Sequence, residues 1–472
     1  MTELRTVDVV VIGAGAAGEN AAGRVVQGGL TAVLIEAELV GGECSYWACM
    51  PSKALLRPGT ALLAAQSVAG AREAVTETLN APAVLKRRDQ FTSHWQDDGQ
   101  VRWVEDSGIE LVRGHGWITG ERKVQVAGND GDTYLFEARH AVVLATGSAP
   151  NIPPLPGLED IEYWGTREAT SARSVPERLA VLGGGVSGAE LAQAFARLGS
   201  TVTVVARGDL LAMYPKEARE LVVAGLRSDG VDLRLHTKTH SVGTNGDGDV
   251  ELRLEDGQSI VADQLLVSTG RHPALEGLGL ENLGLETKKL ETDATGRVSG
   301  QDWLYAIGDA AGQVLLTHQG KYEARATASA IVARAAGNLG AEAEPWSPYA
   351  RTADDHAVPN VVFTDPEIAM VGLSLEKARD AGLNVSEVSL PISVAGSSLY
   401  ADDYKGWAQL VIDEDRKVLV GATFAGPDVA ELLHGATIAI VGAVPLDRLW
   451  HAVPSYPTIS EVWLRLLEKY GL

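Results

Sequence analysis

The sequence is short of cysteine, of long apolar segments and of basic residues. Its 472 residues include two Cys, and 40 Lys or Arg stand against 62 Asp or Glu, giving a formal net charge of −22. A field of that sign repels nucleic-acid phosphates and anionic lipid headgroups. No apolar run approaches the ~18 residues that span a bilayer. We therefore expect neither a nucleic-acid nor a membrane partner.

The first residues also lack the features of a secretory signal. They read MTELRTVDVVVIG, so Glu3 and Asp8 interrupt any basic leader and the apolar run leads into a glycine turn. A signal peptide has a basic start, an apolar stretch and a small-residue cleavage site. We expect a cytoplasmic location.

Both cysteines lie together, as Cys44 and Cys49 in the stretch CSYWAC. Two are too few for the disulfide framework of a secreted protein, so the pair is structural, metal-binding or redox-active. A structural zinc site needs about four ligands, whereas the nearest histidine in sequence is His94 and there is no second cysteine pair. We expect no metal site.

Residues 7–36, VDVVVIGAGAAGENAAGRVVQGGLTAVLIE, predict a strand, a glycine turn, an Ala-rich helix and a second strand. In the turn, Gly13 allows the tight bend, Gly15 lets a pyrophosphate approach the backbone, and Gly18 lets the helix pack on the strand. The helix N-terminus then faces the phosphates, and Glu36 can accept a ribose hydroxyl. This pattern predicts a dinucleotide site.

Residues 179–207, LAVLGGGVSGAELAQAFARLGSTVTVVAR, repeat this design with Gly183, Gly185 and Gly188. The second strand is followed by Arg207 and not by an acid. The carboxylate that would bind a ribose 2′-hydroxyl is therefore missing, and a guanidinium is available for a 2′-phosphate. We expect NADPH in preference to NADH, with NADH still possible. Two dinucleotide units suggest one bound FAD that receives hydride from an exchangeable NAD(P)H.

Further motifs identify a family. They are GGECSYWACMPSK at 41–53, VVLATGSAP at 142–150, LLVSTGRHP at 265–273, WLYAIGDA at 303–310 and VPNVVFTDPEIAMVGLS at 358–374. With the two glycine motifs, they make the chain resemble the flavoprotein disulfide reductases of the pyridine nucleotide-disulfide oxidoreductase family, over essentially its whole length. This family includes glutathione reductase, dihydrolipoamide dehydrogenase and mercuric reductase.

The resemblance implies an α/β fold with two Rossmann-like dinucleotide-binding domains, for FAD and NAD(P)H, and a C-terminal α+β dimerisation domain. We place the FAD domain at 1–151, the NAD(P)H domain at 152–272, a second FAD segment at 273–346 and the interface domain at 347–472. The chain is then expected to be a homodimer. The charges of the Ala-rich helix predicted at 321–337 are expected to form a solvated face.

The resemblance also implies the role of the sulfur pair. Cys44 and Cys49 would form a redox disulfide against the flavin, with Cys49 as the charge-transfer thiol and Cys44 as the interchange thiol that attacks the substrate. A cysteine just before a helix opened by Pro51 lies in a positive end-field that favours the thiolate. Lys53 would pair with Glu190 and lie near flavin N5.

The resemblance further implies cofactor contacts outside the first two glycine turns. Asp309 would contact the ribityl chain of the flavin. The glycines of the neighbouring motifs are expected to line the cofactor sites; they are Gly147, Gly270 and Gly308.

The C-terminal sequence HAVPSYPTISEVW departs from the family pattern. Relatives that reduce disulfides usually have a His-Pro, with a Glu five residues after the His, supplied across the dimer to protonate the departing thiolate. Here Tyr456 replaces the His and Glu461 is kept. A phenol with a pKa of ~10 is a weak base at neutral pH, and losing a positioned general acid-base costs ~10²- to 10⁴-fold. His451 is expected to lie in a helix and point elsewhere.

We therefore predict an FAD-dependent NAD(P)H oxidoreductase that passes electrons through Cys44 and Cys49 to a small-molecule disulfide. Tyr456 and Glu461 would stand in for the usual acid-base pair. One alternative is a quinone-like acceptor reduced directly by the flavin, and another is a dihydrolipoamide dehydrogenase-like subunit of a larger complex. Soluble pyridine nucleotide transhydrogenases resemble the chain in the Tyr-Pro-Thr and in having a Trp in the cysteine loop, where this chain has Trp47, but they lack the paired cysteines.

Overall fold

The computed structural model describes residues 3–472, which form two compact units. The first unit comprises residues up to 50, 89–151 and 270–354, and the second comprises 51–88, 152–269 and 355–472. Among residues 3–472, no helix is both long and apolar enough to cross a membrane.

Twenty strands run along the described chain. They are β1 Leu4–Ile12, β2 Ala32–Glu36, β3 Glu110–Gly120, β4 Lys123–Gly128, β5 Thr133–Leu144, β6 Ser148–Pro150, β7 Arg178–Leu182, β8 Thr201–Val205, β9 Asp232–Arg234, β10 Thr239–Thr244, β11 Val250–Leu254, β12 Ser259–Ala262, β13 Gln264–Val267, β14 Arg271–Pro273, β15 Leu304–Ala306, β16 Pro359–Val362, β17 Glu367–Gly372, β18 Val385–Pro391, β19 Trp407–Asp413 and β20 Val418–Gly426.

Fifteen α-helices lie within residues 3–472. They are α1 Ala16–Gln27, α2 Gly42–Tyr46, α3 Cys49–Gln66, α4 Ala81–Phe91, α5 Asp98–Asp106, α6 Thr166–Ser171, α7 Val186–Arg197, α8 Lys216–Ser228, α9 Thr317–Ala335, α10 Ala353–His356, α11 Leu375–Asp380, α12 Ala395–Tyr400, α13 Leu433–Val441, α14 Leu446–Leu449 and α15 Glu461–Tyr470. Short 3₁₀ turns occupy Arg72–Ala74, Ser93–Trp95, Leu158–Asp160, Leu280–Leu283, Gly308–Ala311 and Ala430–Leu432.

The first unit is built on a six-stranded sheet. Strand β1 pairs in parallel with β2 and β5, β2 with β3, and β15 with β5, while β4 joins β3 and β5 in antiparallel pairings. Successive side chains of β1 point to opposite faces. Val9 and Val11 pack in the same core cluster as α1 and α9, whereas Val10 and Ile12 join a second cluster with Trp303. A β-branched strand buried on both faces suits this central position.

The second unit contains a parallel sheet in the order β13-β7-β8-β9, a three-stranded sheet of β10 to β12, and an antiparallel sheet in the order β16-β17-β20-β19-β18. Helix α7 follows β7 and packs beside β8, which completes the second βαβ unit. Helices α13 and α15 share a core with the antiparallel sheet.

These elements confirm the predicted fold class of two dinucleotide-binding βαβ units followed by a C-terminal α+β segment. The bounds of the four predicted segments stay a prediction. The two compact units group the chain in another way, since the second unit joins 152–269 with 355–472.

Candidate active site

The first glycine turn leaves a cradle of bare backbone between β1 and α1. A Cβ on Gly13, whose φ is +100°, would lie 2.4 Å from the carbonyl oxygen of Ala145, and a Cβ on Gly18 would lie 1.9 Å from that of Gly13. The turn is closed by Glu36, whose Oε2 accepts a hydrogen bond from the backbone of Ala14 at 2.7 Å. Burial raises the pKa of the Glu36 carboxyl. These residues suit the adenosine pyrophosphate end of FAD.

The second glycine turn has the same geometry between β7 and α7. A Cβ on Gly183, with φ +127°, would lie 2.1 Å from the carbonyl oxygen of Ser268, and one on Gly188 would lie 2.7 Å from that of Gly183. Gly185 is different, because a Cβ there would meet no atom within 4 Å. Its open side is therefore space in which a dinucleotide can approach the helix N-terminus. Arg207 follows β8 and is exposed.

The sulfur pair lies against the first glycine turn. Gly41 N donates to the carbonyl oxygen of Ala14 at 2.8 Å, and a Cβ on Gly42 would lie 2.7 Å from the Cα of Gly15. Helix α2, which begins at Gly42 and carries Cys44, is thus fixed to the loop before α1. Two motifs separated along the sequence form one site.

Within this site the two thiols are in contact and neither forms a disulfide in the structure. Cys44 donates a hydrogen bond to Cys49, and this bond together with burial raises the pKa of the Cys44 thiol. The Sγ of Cys49 lies 3.2 Å from the hydroxyl oxygen of Thr317, at the start of α9. Helix α3 begins at Cys49 itself, two residues before the predicted opening at Pro51.

Asp309 lies in the 3₁₀ turn after β15. Its Oδ2 accepts a hydrogen bond from Ser148 Oγ at 2.5 Å, and Arg271 Nε donates to the same hydroxyl at 2.8 Å. Burial raises the pKa of Asp309. The backbone N of Gly308 donates to Glu323 Oε2 at 2.8 Å, so the buried carboxyl group of Glu323 on α9 holds this turn. Gly147 and Gly270, with φ of +73° and +107°, flank the short β6 and β14 strands that carry Ser148 and Arg271.

In the second unit, Lys53 and Glu190 form the expected ion pair. Lys53 Nζ lies 2.7 Å from Glu190 Oε2, and the Glu190 side chain is only 3% exposed. Its other oxygen accepts from the backbone N of Phe363 at 2.9 Å, and the ring of Phe363 lies 4.9 Å from Lys53 Nζ. A buried carboxylate needs such additional partners to offset its desolvation.

The C-terminal pair is divided between surface and core. Tyr456 is 76% exposed, whereas Glu461 is buried at the start of α15. Glu461 Oε1 accepts from Arg465 Nη2 at 2.6 Å, but its Oε2 is buried without a hydrogen-bond partner. His451 lies in a turn after α14, so its expected place in a helix is wrong.

Sequence reasoning did not single out Ser148, Arg271, Thr317, Glu323 or Phe363. The first two lie inside quoted motifs, next to the glycines, which is the signal that could have identified them. Glu323 was expected on a solvated helix face, and this is wrong because its side chain is completely buried. Among residues 3–472, no group of three or more His, Cys, Asp or Glu could hold a metal ion.

The sequence was compared with protein families and with known proteins. Residues 7–337 match the pyridine nucleotide-disulphide oxidoreductase family, and residues 358–466 match its dimerisation domain. The chain is 34% identical over 476 residues to a dihydrolipoyl dehydrogenase of Thermus scotoductus, covering 97% of this chain and 96% of the relative. It is 32% identical over 462 residues to a mercuric reductase of Shigella flexneri, covering 96% of this chain and 79% of the relative.

A solved structure shares the fold. The HOCl-induced flavoprotein disulfide reductase RclA from Escherichia coli superposes with a TM-score of 0.81 at 23% identity, over 98% of this chain and 99% of that one. The two family matches span most of the sequence, and the predicted family is confirmed. The chain therefore belongs to the pyridine nucleotide-disulphide oxidoreductase family and is an FAD-dependent oxidoreductase that uses a pyridine nucleotide.

Proposed function

We propose that the chain is an NADPH-dependent reductase of a small-molecule disulfide. The observation that carries this proposal is the contact between Cys44 and Cys49 within one partly buried site, beside the first glycine turn. A structural bridge needs no glycine cradle next to it, whereas a dithiol that receives electrons from a dinucleotide does.

The residues of the first unit suit FAD. The turn around Gly13, Gly15 and Gly18 would hold the pyrophosphate of FAD, and Glu36 would bind a ribose. Asp309 would bind the ribityl chain. Gly147 and Gly308 have no side chain, so the cofactor could come close to the backbone there. When bound, FAD would accept a hydride from NADPH and supply an electron pair to the sulfur pair. In the second unit Gly183, Gly185 and Gly188 would hold the nicotinamide dinucleotide, and Arg207 would bind its 2′-phosphate. Gly270, which belongs to the first unit, would line a cofactor site.

The thiols would then exchange with the substrate. Cys44 loses its proton and attacks one sulfur of the substrate disulfide, which forms a mixed disulfide and releases the first substrate thiolate. The thiolate of Cys49 next attacks the sulfur of Cys44, which forms the Cys44–Cys49 disulfide again and releases the second substrate thiolate. Each released thiolate takes up a proton, so the net change is NADPH, one proton and a disulfide to NADP⁺ and two thiols.

Protonation of the leaving thiolates is assigned to the C-terminal segment. Tyr456 would donate a proton or hydrogen bond, and Glu461 would accept one through its unpartnered Oε2. In a homodimer formed through the matched dimerisation domain, these groups would serve the partner subunit. Lys53, paired with Glu190, would supply a fixed positive charge for the reduced flavin. A cytoplasmic location stays a prediction.

The proposal is tested by anaerobic reduction with one equivalent of NADPH. Wild type should develop the long-wavelength absorbance of a thiolate next to oxidised flavin, and Cys49→Ser should lack it. A flavin-loaded wild type without this band overturns the thiol half of the proposal. Steady-state assays with NADPH and NADH against low-molecular-weight disulfides, lipoamide and quinones would then identify the acceptor.

A second candidate is direct reduction of a quinone-like acceptor, which Tyr456 favours because such an acceptor needs no imidazole to protonate a thiolate. Cys44→Ser separates the two: it abolishes disulfide reduction and leaves quinone reduction intact. The third candidate, a subunit of a larger complex, is favoured by the likeness to dihydrolipoyl dehydrogenase. It predicts that the fastest reactions are the oxidation of dihydrolipoamide by NAD⁺ and, in reverse, the reduction of lipoamide by NADH.

A further inference from the structure

A continuous chain of polar contacts links the cysteine helix to the residue assigned to the ribityl chain. Arg271 Nη2 donates to Glu43 Oε2 at 2.5 Å and to the carbonyl oxygen of Ser148 at 2.6 Å. Arg271 Nε donates to Ser148 Oγ at 2.8 Å, and that hydroxyl donates to Asp309 Oδ2 at 2.5 Å. All four residues belong to the first unit.

This row of contacts ends at Glu43 on one side and at Asp309 on the other, and both ends lie beside groups that take part in the proposed reaction. Glu43 directly precedes Cys44 in α2, a helix of only five residues with no side-chain cap. Arg271 lies on β14, which pairs with the β6 strand that carries Ser148. The fork of the guanidinium therefore joins α2 to this two-stranded ribbon, and the ribbon to Asp309. A planar guanidinium with several donors is suited to such a junction, and a lysine is not.

Negative and positive side chains alternate along this row of contacts. The Arg271 cation lies between the carboxylates of Glu43 and Asp309, and its positive charge opposes the rise that burial causes in the pKa of Asp309. The side chains of Arg271 and Glu43 are 27% and 43% exposed, so their pair is partly screened by water. Without Glu43, the positive charge of the guanidinium would act more strongly on the Asp309 side of the site.

We propose that Glu43 and Arg271 are positioning residues that set the reduction potential of the bound flavin and the proton affinity of Cys44. This inference rests on the proposed function, because it takes Asp309 as the flavin contact. Glu43 offsets the Arg271 cation and so keeps the flavin harder to reduce. The negative charge of Glu43, the residue just before Cys44, also disfavours the thiolate form of Cys44.

The test uses Glu43→Gln, which keeps the side-chain shape and removes the charge. In a Cys44→Ser/Cys49→Ser background, where sulfur accepts no electrons, the flavin of Glu43→Gln should be easier to reduce. The expected change is about tenfold in the equilibrium with a reference dye, or about 30 mV for two electrons. In the reduced protein with its native cysteines, the pH profile of Cys44 alkylation should move to lower pH.

Arg271→Lys and Glu110→Gln complete the design. Arg271→Lys keeps the charge and loses the fork, so it should leave the potential near wild type while raising KM for the disulfide. Glu110 pairs with Arg5 in the same unit and serves as the control, with both readouts expected unchanged.

The outcomes separate the two proposals. A Glu43→Gln protein that binds FAD but shows the wild-type potential and alkylation profile overturns this inference and leaves the proposed function standing. If Glu43→Gln loses FAD, alkylation of the apoprotein decides, and an unmoved profile overturns the inference. A flavin-loaded wild type without the long-wavelength band overturns the thiol half of the proposed function, and the potential of Glu43→Gln in the background without cysteines still decides this inference.

Discussion

At the scale of single residues, the replacement at Tyr456 makes the sharpest prediction. The side chain is 76% exposed, so its substitution should change the free energy of unfolding by no more than about 0.5 kcal/mol. Tyr456→His should raise the rate of disulfide reduction by about 10²-fold and introduce a pH dependence near 6.5, because an imidazole exchanges protons near neutrality. Tyr456→Phe should lower the rate. Steady-state kinetics from pH 5.5 to 9 check this, and identical profiles for all three proteins would remove Tyr456 from the chemistry.

Glu323 makes a prediction about stability and pH. Burial raises its pKa from the ordinary value of 4.5 to about 7. The folded chain therefore holds this proton more tightly than the unfolded chain. The resulting stability is complete below about pH 4.5 and is lost as the pH rises through 7, an effect of up to about 3 kcal/mol.

The measurement is urea unfolding of the FAD-loaded protein at pH 5 and pH 8. Stability should fall less between these values in Glu323→Gln than in wild type, since a glutamine does not titrate. Glu281→Gln, at an exposed position, should behave like wild type. An equal fall in all three proteins would mean that Glu323 is not neutral at pH 5 in the folded chain.

These residues also show what the sequence could and could not reveal. Lys53 and Glu190 were paired correctly because both lie in motifs whose arrangement the family resemblance supplies. Glu323 was misjudged because an Ala-rich helix has no clear apolar face, so its one buried acid looks like its exposed charges. Arg271 was overlooked because its partners Glu43 and Ser148 are far from it in sequence, and no local pattern records such contacts.

At the scale of elements, the second glycine turn contains one glycine that is expected to matter for binding and another that is expected to matter for folding as well. Gly185 has an ordinary φ of −83° and open space where a Cβ would lie, so Gly185→Ala should fold with an unchanged Tm. The added methyl group occupies the space that a pyrophosphate needs, and KM for NADPH should rise by about tenfold or more. Gly188→Ala is the contrast, because its Cβ would lie 2.7 Å from a backbone oxygen and should lower Tm as well. Equal Tm losses would contradict the distinction.

The boundaries of elements were predicted less well than their types. Both βαβ units follow from glycine spacing and apolar strands, which are local features. The start of α3 at Cys49 and the end of α14 at Leu449 were missed. The first boundary falls inside a motif that is interpreted by resemblance, and the second lies just before the C-terminal motif at 451–463. Helix ends fray, and tertiary packing decides which residues of such a segment are helical.

At the scale of the whole molecule, the C-terminal segment should control assembly. Val453 is 85% and Ile438 58% exposed in the single chain, although both are apolar. Val453→Asp should shift the protein from a dimer toward the 49.8 kDa monomer in light scattering, because a charge cannot be buried unpaired in an interface. Leu4→Asp, also at an exposed apolar position, is the control.

The same variant tests where Tyr456 acts. A monomeric Val453→Asp protein should keep NADPH-dependent flavin reduction and lose disulfide reduction, since the partner would no longer supply Tyr456. Monomers that reduce disulfides at the wild-type rate would place the whole site within one chain.

Strand β15 has a consequence for how the protein is made. It completes the first sheet by pairing with β5, yet Leu304–Ala306 follow β5 by about 160 residues of intervening chain. On the ribosome, the nascent chain must therefore wait through the synthesis of that whole insertion before the sheet can close. Until then the edge of β5 that pairs with β15 stays unpaired. A chaperone can bind this edge, or it can pair with the same strand of another nascent chain on a neighbouring ribosome.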